Sequence, residues 1–400
     1  MTELPMTWVM IPLLAFLAPI LASQVGRLIR IPVVVFEIVL GIVAGPSLLG
    51  WVTPTAFTST LADLGLAMLF FMAGSEINFA AVAGRPLRRA GLGWLLSLAA
   101  GIILGIVLAP NPTAGVFIGI ALSSTALGTL LPVLRDEGEL KTPFGVAVTA
   151  IGAAGEFGPL LAISLFLSGR NPGPAALVLV VFAVIAVAAI WLASRGEHRW
   201  VHRLVTATLH SSGQFAIRFV ILILAVLVAL SMILGLDMLL GAFAAGVLWR
   251  VLLSGATPKD RHVVEMKLDA LAFGFVVPIF FVNTGVTFDL TALLASPSVL
   301  LLVPIFLVLL LLVRGLPGLF AAPIGATRAD RRAIVLFSAT GLPIIVAVTQ
   351  IGVDHALLSS GTAAALVGAG MLSVLLFPLL ALSQRNSRTG SAELAPDGTA

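Results

Sequence analysis

The 400-residue chain contains no cysteine, which excludes disulfides, thiolate-bound zinc and iron–sulfur clusters. Histidine is scarce. His198, His202, His210, His262 and His355 all fall outside the apolar runs, so metalloenzyme and redox chemistry lose most of their support, and no cofactor is expected. Charge is scarce too: Asp, Glu, Lys and Arg make up 10% of the residues, against about 25% in soluble domains. What is plentiful is apolar, with 60% hydrophobic residues and a mean hydropathy of +1.15. This is the composition of an all-α polytopic membrane protein. A bilayer-crossing helix takes ~20 apolar residues, and thirteen such runs are read at 8–25, 33–49, 61–77, 87–109, 113–134, 144–167, 175–193, 215–234, 238–253, 268–287, 298–320, 333–353 and 362–382. They leave only short connections between them.

The formal charge of +4 and the pI near 10.6 would point a soluble protein toward nucleic acid. Here the basic residues follow topology instead, and the partner they indicate is the lipid bilayer. No Lys or Arg precedes the first run, and Arg27 and Arg30 follow it. That order is the reverse of a cleavable secretion signal, so the run reads as a retained helix with its N-terminus outside. Alternate loops then fall in the cytoplasm, which receives 20 of the 22 Lys and Arg, the positive-inside pattern. Arg170 lies outside and Arg314 deep within a span. The stretch from Arg195 to His210 reads either as a short amphipathic helix on the membrane surface or as a plain basic loop. Residues 1–385 form the transmembrane domain, and 386–400 a polar cytoplasmic tail expected to be disordered.

Thirteen helices divide as six, one linker and six. With an odd helix between them the halves enter the membrane in opposite senses, as in the inverted repeats of many secondary transporters. The fifth and twelfth spans, in corresponding positions, carry matching interruptions: Ala121-Leu-Ser-Ser-Thr-Ala-Leu-Gly-Thr-Leu-Leu-Pro132 and Ser338-Ala-Thr-Gly-Leu-Pro343. Proline removes a backbone donor and glycine loosens the helix, so carbonyls are freed that in lipid need a partner. A bound cation is one such partner; close helix packing also favours Gly, Ser and Thr.

Glu156 stands about thirteen residues into the sixth span, ~20 Å from its cytoplasmic end and near the bilayer midplane. A charge there costs ~2.5 to 3.5 kcal/mol on the mildest scale, so the side chain is expected to face the protein interior with a partner or a proton. Arg314 in the eleventh span does not deprotonate in proteins, which makes its expected role electrostatic rather than proton-carrying. Glu37, Asn283 and Thr284 are polar positions within spans that read as cavity lining or helix contacts. Asp63, Glu76, Asp237, Asp269, Asp289 and Asp354 fall near span ends, where solvation is expected.

These residues resemble the monovalent cation:proton antiporters, specifically the second cation:proton antiporter family. The matching stretches are Arg30-Ile-Pro-Val-Val-Val-Phe-Glu-Ile-Val-Leu-Gly-Ile-Val-Ala-Gly-Pro-Ser-Leu-Leu-Gly50, Leu64-Gly-Leu-Ala-Met-Leu-Phe-Phe-Met-Ala-Gly-Ser-Glu76, Ala121-Leu-Ser-Ser-Thr-Ala126 with Pro132-Val-Leu-Arg-Asp136, Phe275-Val-Val-Pro-Ile-Phe-Phe-Val-Asn-Thr-Gly285, and Met371-Leu-Ser-Val-Leu-Leu-Phe-Pro378. The resemblance implies a core of helices 61–77, 87–109, 113–134, 144–167, 268–287, 298–320 and 333–353 with two unwound, crossing helices. It also implies a homodimer and elevator-like alternating access. It places Ser124 and Thr125 at the first crossing, Thr340 and Gly341 at the second, Glu156 at the cation-binding acid and Arg314 at a basic core position. One departure is visible. Family members usually carry Asp as the binding acid, preceded by Asp in electrogenic exchangers and often by Asn or Gln in electroneutral ones. Here the acid is Glu156 and its predecessor is Gly155.

The expected activity is one-for-one exchange of Na+ or K+, with Li+ open, against H+. Glu156 would bind either partner, hydroxyls and freed carbonyls near Thr125 and Thr340 would complete an oxygen shell for a hard cation, and transport would be electroneutral. Such an exchanger would sit in a bacterial inner membrane. A cation-coupled transporter of an organic solute on the same fold is the alternative, followed by a channel. An intramembrane enzyme is disfavoured, because no histidine or cysteine lies in the membrane and no HExxH-like or serine-based dyad is evident.

Overall fold

The computed structural model describes residues 4–25, 32–77, 82–167, 172–195, 214–254 and 257–386. Most of the basic stretch up to His210 and the tail from 387 on, both assigned a character above, lie outside the described residues. Every described element is helical. In chain order these are α1 (Leu4–Val25), α2 (Val33–Ala44), α3 (Ala56–Glu76), α4 (Arg85–Leu108), α5 (Pro112–Leu122), α6 (Leu127–Asp136), α7 (Pro143–Phe166), α8 (Pro172–Arg195), α9 (Phe215–Ile233), α10 (Met238–Leu253), α11 (Pro258–Leu271), α12 (Val277–Val286), α13 (Leu290–Leu294), α14 (Pro297–Leu309), α15 (Leu316–Gly318), α16 (Arg328–Ser338), α17 (Pro343–Asp354) and α18 (Ser360–Asn386). Two wide-turn π segments, Ala272–Val276 and Leu310–Gly315, join α11 to α12 and α14 to α15.

Ten helical stretches among the described residues are long and apolar enough to cross a membrane, and two apolar helices, Val33–Ala44 and Met238–Leu253, are shorter. At 1.5 Å per residue α2 covers only ~18 Å. Gly45 and Pro46 follow its end at Ala44, so the expected second span, 33–49, is helical over its first 12 residues and loses its last five. The fifth and twelfth spans, where the sequence carries its matching interruptions, are each split into two half-helices, α5 with α6 and α16 with α17. The tenth begins ten residues earlier than its apolar run, at Pro258, with a charged opening stretch capped by Thr257.

Local chemistry explains the helix starts. Thr55 and Thr58 form a capping box on α3, and Thr327 and Asp330 form another on α16. Asn111 caps α5 and Ser296 caps α14, each followed by proline in the first turn, where the missing N–H costs nothing. Asp237 and Asp289, both at helix starts, accept from the backbone N–H groups of Leu239 and Ala292 as N-caps.

The chain divides into two compact units. The first comprises Met1–Leu21, Phe36–Ile77 and Leu160–Phe288. In it α3 packs against α10 with backbones close enough that a Cβ at Gly74 or Gly246 would strike the carbonyl of Phe243 or Phe71. Arg250 Nη1 donates to Ser75 O at 2.6 Å. Met10, Ile11 and Leu14 of α1 pack with Ala44, Ile279 and Val282.

The second unit comprises Ala22–Val35, Asn78–Pro159 and Asp289–Ala400. Its α4 and α5 meet through Gly101 and Gly105 on one helix and Gly115 and Gly119 on the other, each in backbone contact with the other pair. Small residues at four-residue spacing allow this approach in lipid, where dispersion between helices replaces the hydrophobic drive. Leu130, Leu134, Phe144, Val148, Ile151, Ile334 and Phe337 form the core of this unit. At its edge Arg385 pairs with Glu139 at 2.8 Å and Asp330 at 3.2 Å.

Candidate functional site

The site is built from the two breaks in the second unit. Helix α5 stops at Leu122, and residues 123–126 leave the helix before α6 resumes. Ser123, Ser124 and Thr125 are buried there. Ser123 Oγ donates to Ile120 O at 2.9 Å and Ser124 Oγ to Ala121 O at 2.8 Å, which satisfies carbonyls at the end of α5. In the second break, residues 339–342, Gly341 N donates to Ser373 Oγ at 3.1 Å. Ser373 Oγ lies within donating distance of Gly341 O at 3.1 Å and Gly370 O at 2.7 Å. Thr340 Oγ1 donates to Leu336 O at 3.1 Å.

The breaks are tied to each other. Ala126 N donates to Thr340 O at 2.8 Å, and Thr125 Oγ1 donates to Ser338 O at 2.6 Å. Backbone groups released by an interrupted helix cannot turn to water inside a bilayer. Here each interruption supplies partners for the other.

Helix α7 passes the same point. Thr125 N donates to Gly155 O at 2.9 Å. Arg314, carried on the second π segment and with none of its surface exposed, donates from Nε to Thr125 Oγ1 and from Nη2 to Ile151 O, both at 2.7 Å. Thr125 therefore accepts from the guanidinium and donates to Ser338 with one hydroxyl. A Cβ at Gly155 would collide with Arg314 Nη2 and lie 2.6 Å from Thr125 Oγ1, so the guanidinium and the threonine fill the space a side chain would need. The next residue on α7 is Glu156, 3% exposed. Among the described residues of this unit the buried ionisable side chains are Glu156 and Arg314. A buried guanidinium with hydrogen bonds to neutral oxygens keeps its full charge in a medium that penalises it, and the acid of opposite sign belongs to the same unit.

The structure thus gathers Thr125, Thr340 and Arg314 in one hydrogen-bonded cluster and seats Ser124, Gly341 and Glu156 on the elements that form it. Glu37, Asn283 and Thr284 belong to the first unit. All three are buried. Thr284 Oγ1 donates to Phe280 O at 2.9 Å, and Asn283 Oδ1 has no hydrogen-bond partner among the described residues. Sequence reasoning did not single out Ser373, Ile151 or the steric role of Gly155. The Gly370-x-x-Ser373 spacing on α18 is the one compositional signal that would have pointed to a close helix contact.

Two interrupted helices hydrogen-bonded to each other at their breaks, with a buried acid and a buried arginine in the same unit, define a helical secondary transporter of the kind that builds ion sites from discontinuous membrane helices. Residues 13–382 match the pattern of the family described as sodium/hydrogen exchanger, transmembrane, and the chain belongs to that family of transporters. It is 27% identical over 394 residues to YjbQ of Bacillus subtilis, covering 93% of this chain and 61% of that protein. It is 29% identical over 289 residues to the Na+/H+-K+ antiporter GerN of Bacillus cereus, covering 69% of this chain and 71% of GerN. The fold is that of the sodium proton antiporter MjNhaP1 of Methanocaldococcus jannaschii at pH 8, with a TM-score of 0.63 over 100% of both chains at 18% identity.

Proposed function

We propose that the chain exchanges Na+ or K+ for H+, one for one, with Glu156 as the group that binds either partner. The observation that carries this is the pairing, within one unit, of a buried carboxylate with a permanently charged Arg314 whose hydrogen bonds go to neutral oxygens. Arg314 balances the empty carboxylate. Adding either a proton or a monovalent cation then gives loaded states of the same net charge, so transport is electroneutral. Thr125 holds Arg314 and ties the crossing, while Ser124, Thr340 and Gly341 offer neighbouring oxygens for the ion. GerN, a Na+/H+-K+ antiporter, and MjNhaP1, a sodium proton antiporter, support this reading of the substrate class.

Exchange runs by elevator-like alternating access in a homodimer. Each protomer has thirteen crossings arranged as six, a linker and six, with the N-terminus outside and the C-terminus in the cytoplasm of a bacterial cell. The distribution of Lys and Arg supports that orientation, and the matched breaks support the repeat.

The test is cation-induced collapse of a pH gradient in everted vesicles. Glu156→Gln keeps the shape and removes the titration, and is expected to abolish the response to Na+ and K+ at unchanged expression. Because the ion binds only the deprotonated acid, the cation concentration for half-maximal exchange rises as pH falls, by up to about tenfold per unit. Undiminished exchange by the glutamine variant would remove Glu156 from this role.

A further inference from the structure

A cavity of about 750 Å3 lies in the second unit, away from the breaks. It is lined by Arg85, Arg88 and Arg89 of α4, Arg331 of α16, and the apolar side chains of Leu92 and Phe320 among others. The three arginines of α4 occupy positions i, i+3 and i+4 in its opening turns and so share a face. Arg331 stands in the first turn of α16. Four guanidinium groups therefore meet beside two helix N-termini, where the backbone dipole is itself positive and favours anions. Among the described residues no acid lines the cavity. Among the described residues none of the four arginines forms an ion pair or a side-chain hydrogen bond. Asp330, the sequence neighbour of Arg331, is already engaged by Thr327 and Arg385.

The positive-inside rule accounts for basic residues at one end of a span. It does not require four of them, from two helices, to surround one space. The apolar wall indicates which anion fits. Leu92 is 53% exposed and Phe320 55%, and the exposed face of α4 continues through Leu95 and Leu96. The helix has a mean hydropathy of 2.3 and only 22% of its span buried, so this face meets hydrocarbon. A soluble anion would use the arginines and leave the wall idle.

We propose that the cavity binds an anionic phospholipid, with its headgroup phosphate among Arg88, Arg89 and Arg331 and an acyl chain along Leu92, Leu95 and Leu96. Basic pockets beside membrane helices recognise such headgroups by charge. The inference is independent of the exchange reading, since it concerns binding alone.

The test is native mass spectrometry of the full chain released from mixed micelles holding equal amounts of phosphatidylglycerol and phosphatidylcholine. The unaltered protein is expected to retain phosphatidylglycerol at least about tenfold over phosphatidylcholine; equal retention overturns the proposal without recourse to any variant. The triple variant R88Q/R89Q/R331Q is expected to lower that ratio to near one. R328Q/R332Q, which removes charge from the same helix outside the cavity, is expected to leave it within about twofold. An equal fall in both variants would mean diffuse surface charge rather than a site. Inorganic phosphate is expected to leave the lipid bound; displacement by phosphate would make the cavity a soluble-anion site and overturn the lipid assignment. Arg331→Gln alone gives the same reading where the triple variant fails to fold.

Discussion

A methyl group at position 155 would press on Arg314 Nη2 and stand 2.6 Å from Thr125 Oγ1, so the smallest residue precedes Glu156 for a steric reason. The expected outcome of Gly155→Ala follows from overpacking, which costs ~1–3 kcal/mol in a filled interior. Either Arg314 shifts off Ile151 O and Thr125 or α7 retreats, and both disturb the acid one residue on. Proteoliposomes containing the variant should show exchange reduced at least about tenfold, while the protein still purifies as folded; wild-type rates would show that the contact is slack. Glu156 and Arg314 were legible in the sequence because an ionisable side chain deep in an apolar run is costly enough to need a purpose. Gly155 was not. By its letter it read as a departure from the family pattern, and only the placement of a side chain 159 positions later in the sequence explains it.

At the scale of elements, the breaks hold their shape through hydrogen bonds that replace the helical ones. Ser373 of α18 serves both the N–H and the carbonyl of Gly341. Ser373→Ala leaves that buried N–H without its partner, at ~1–3 kcal/mol. The expected result is a thermal midpoint in detergent lowered by a few degrees and a lower exchange rate. An unchanged midpoint would mean that another group takes over. Proline, glycine and clustered hydroxyls marked both interruptions to within a few residues, because each of those residue types weakens a helix in its own way. The π segments left no such trace. Leu310–Gly315 is as apolar as the helix before it except for Arg314, and a widened turn arises from packing against neighbours rather than from composition.

For the whole molecule, two measurements test the balance of charge and the path of the chain. Equal charge in the two loaded states predicts no transient current when a Na+ gradient is applied to protein on a solid-supported membrane. A current that reverses with the gradient would mean unequal stoichiometry. The absence of cysteine makes single-cysteine labelling free of background. An impermeant maleimide should label His355→Cys from outside intact cells and Ile324→Cys only after the membrane is opened; the reverse pattern would invert the proposed topology. The membrane class and most helix positions were legible in the sequence because apolar length is nearly all that a span requires. The division into two units was not, since it depends on which faces meet and apolarity is spread around most of these helices.

The hydroxyl of Thr125 and the carbonyl that it satisfies at Ser338 are 213 positions apart along the chain. Translation delivers the first of these to the lipid long before the second exists. Until then a nascent polypeptide carries an interrupted segment whose backbone has no lasting partner, a condition that hydrocarbon penalises. The tie between the two breaks therefore forms only after Ser338 has been made, and a product truncated ahead of Ser338 keeps its first break unpaired.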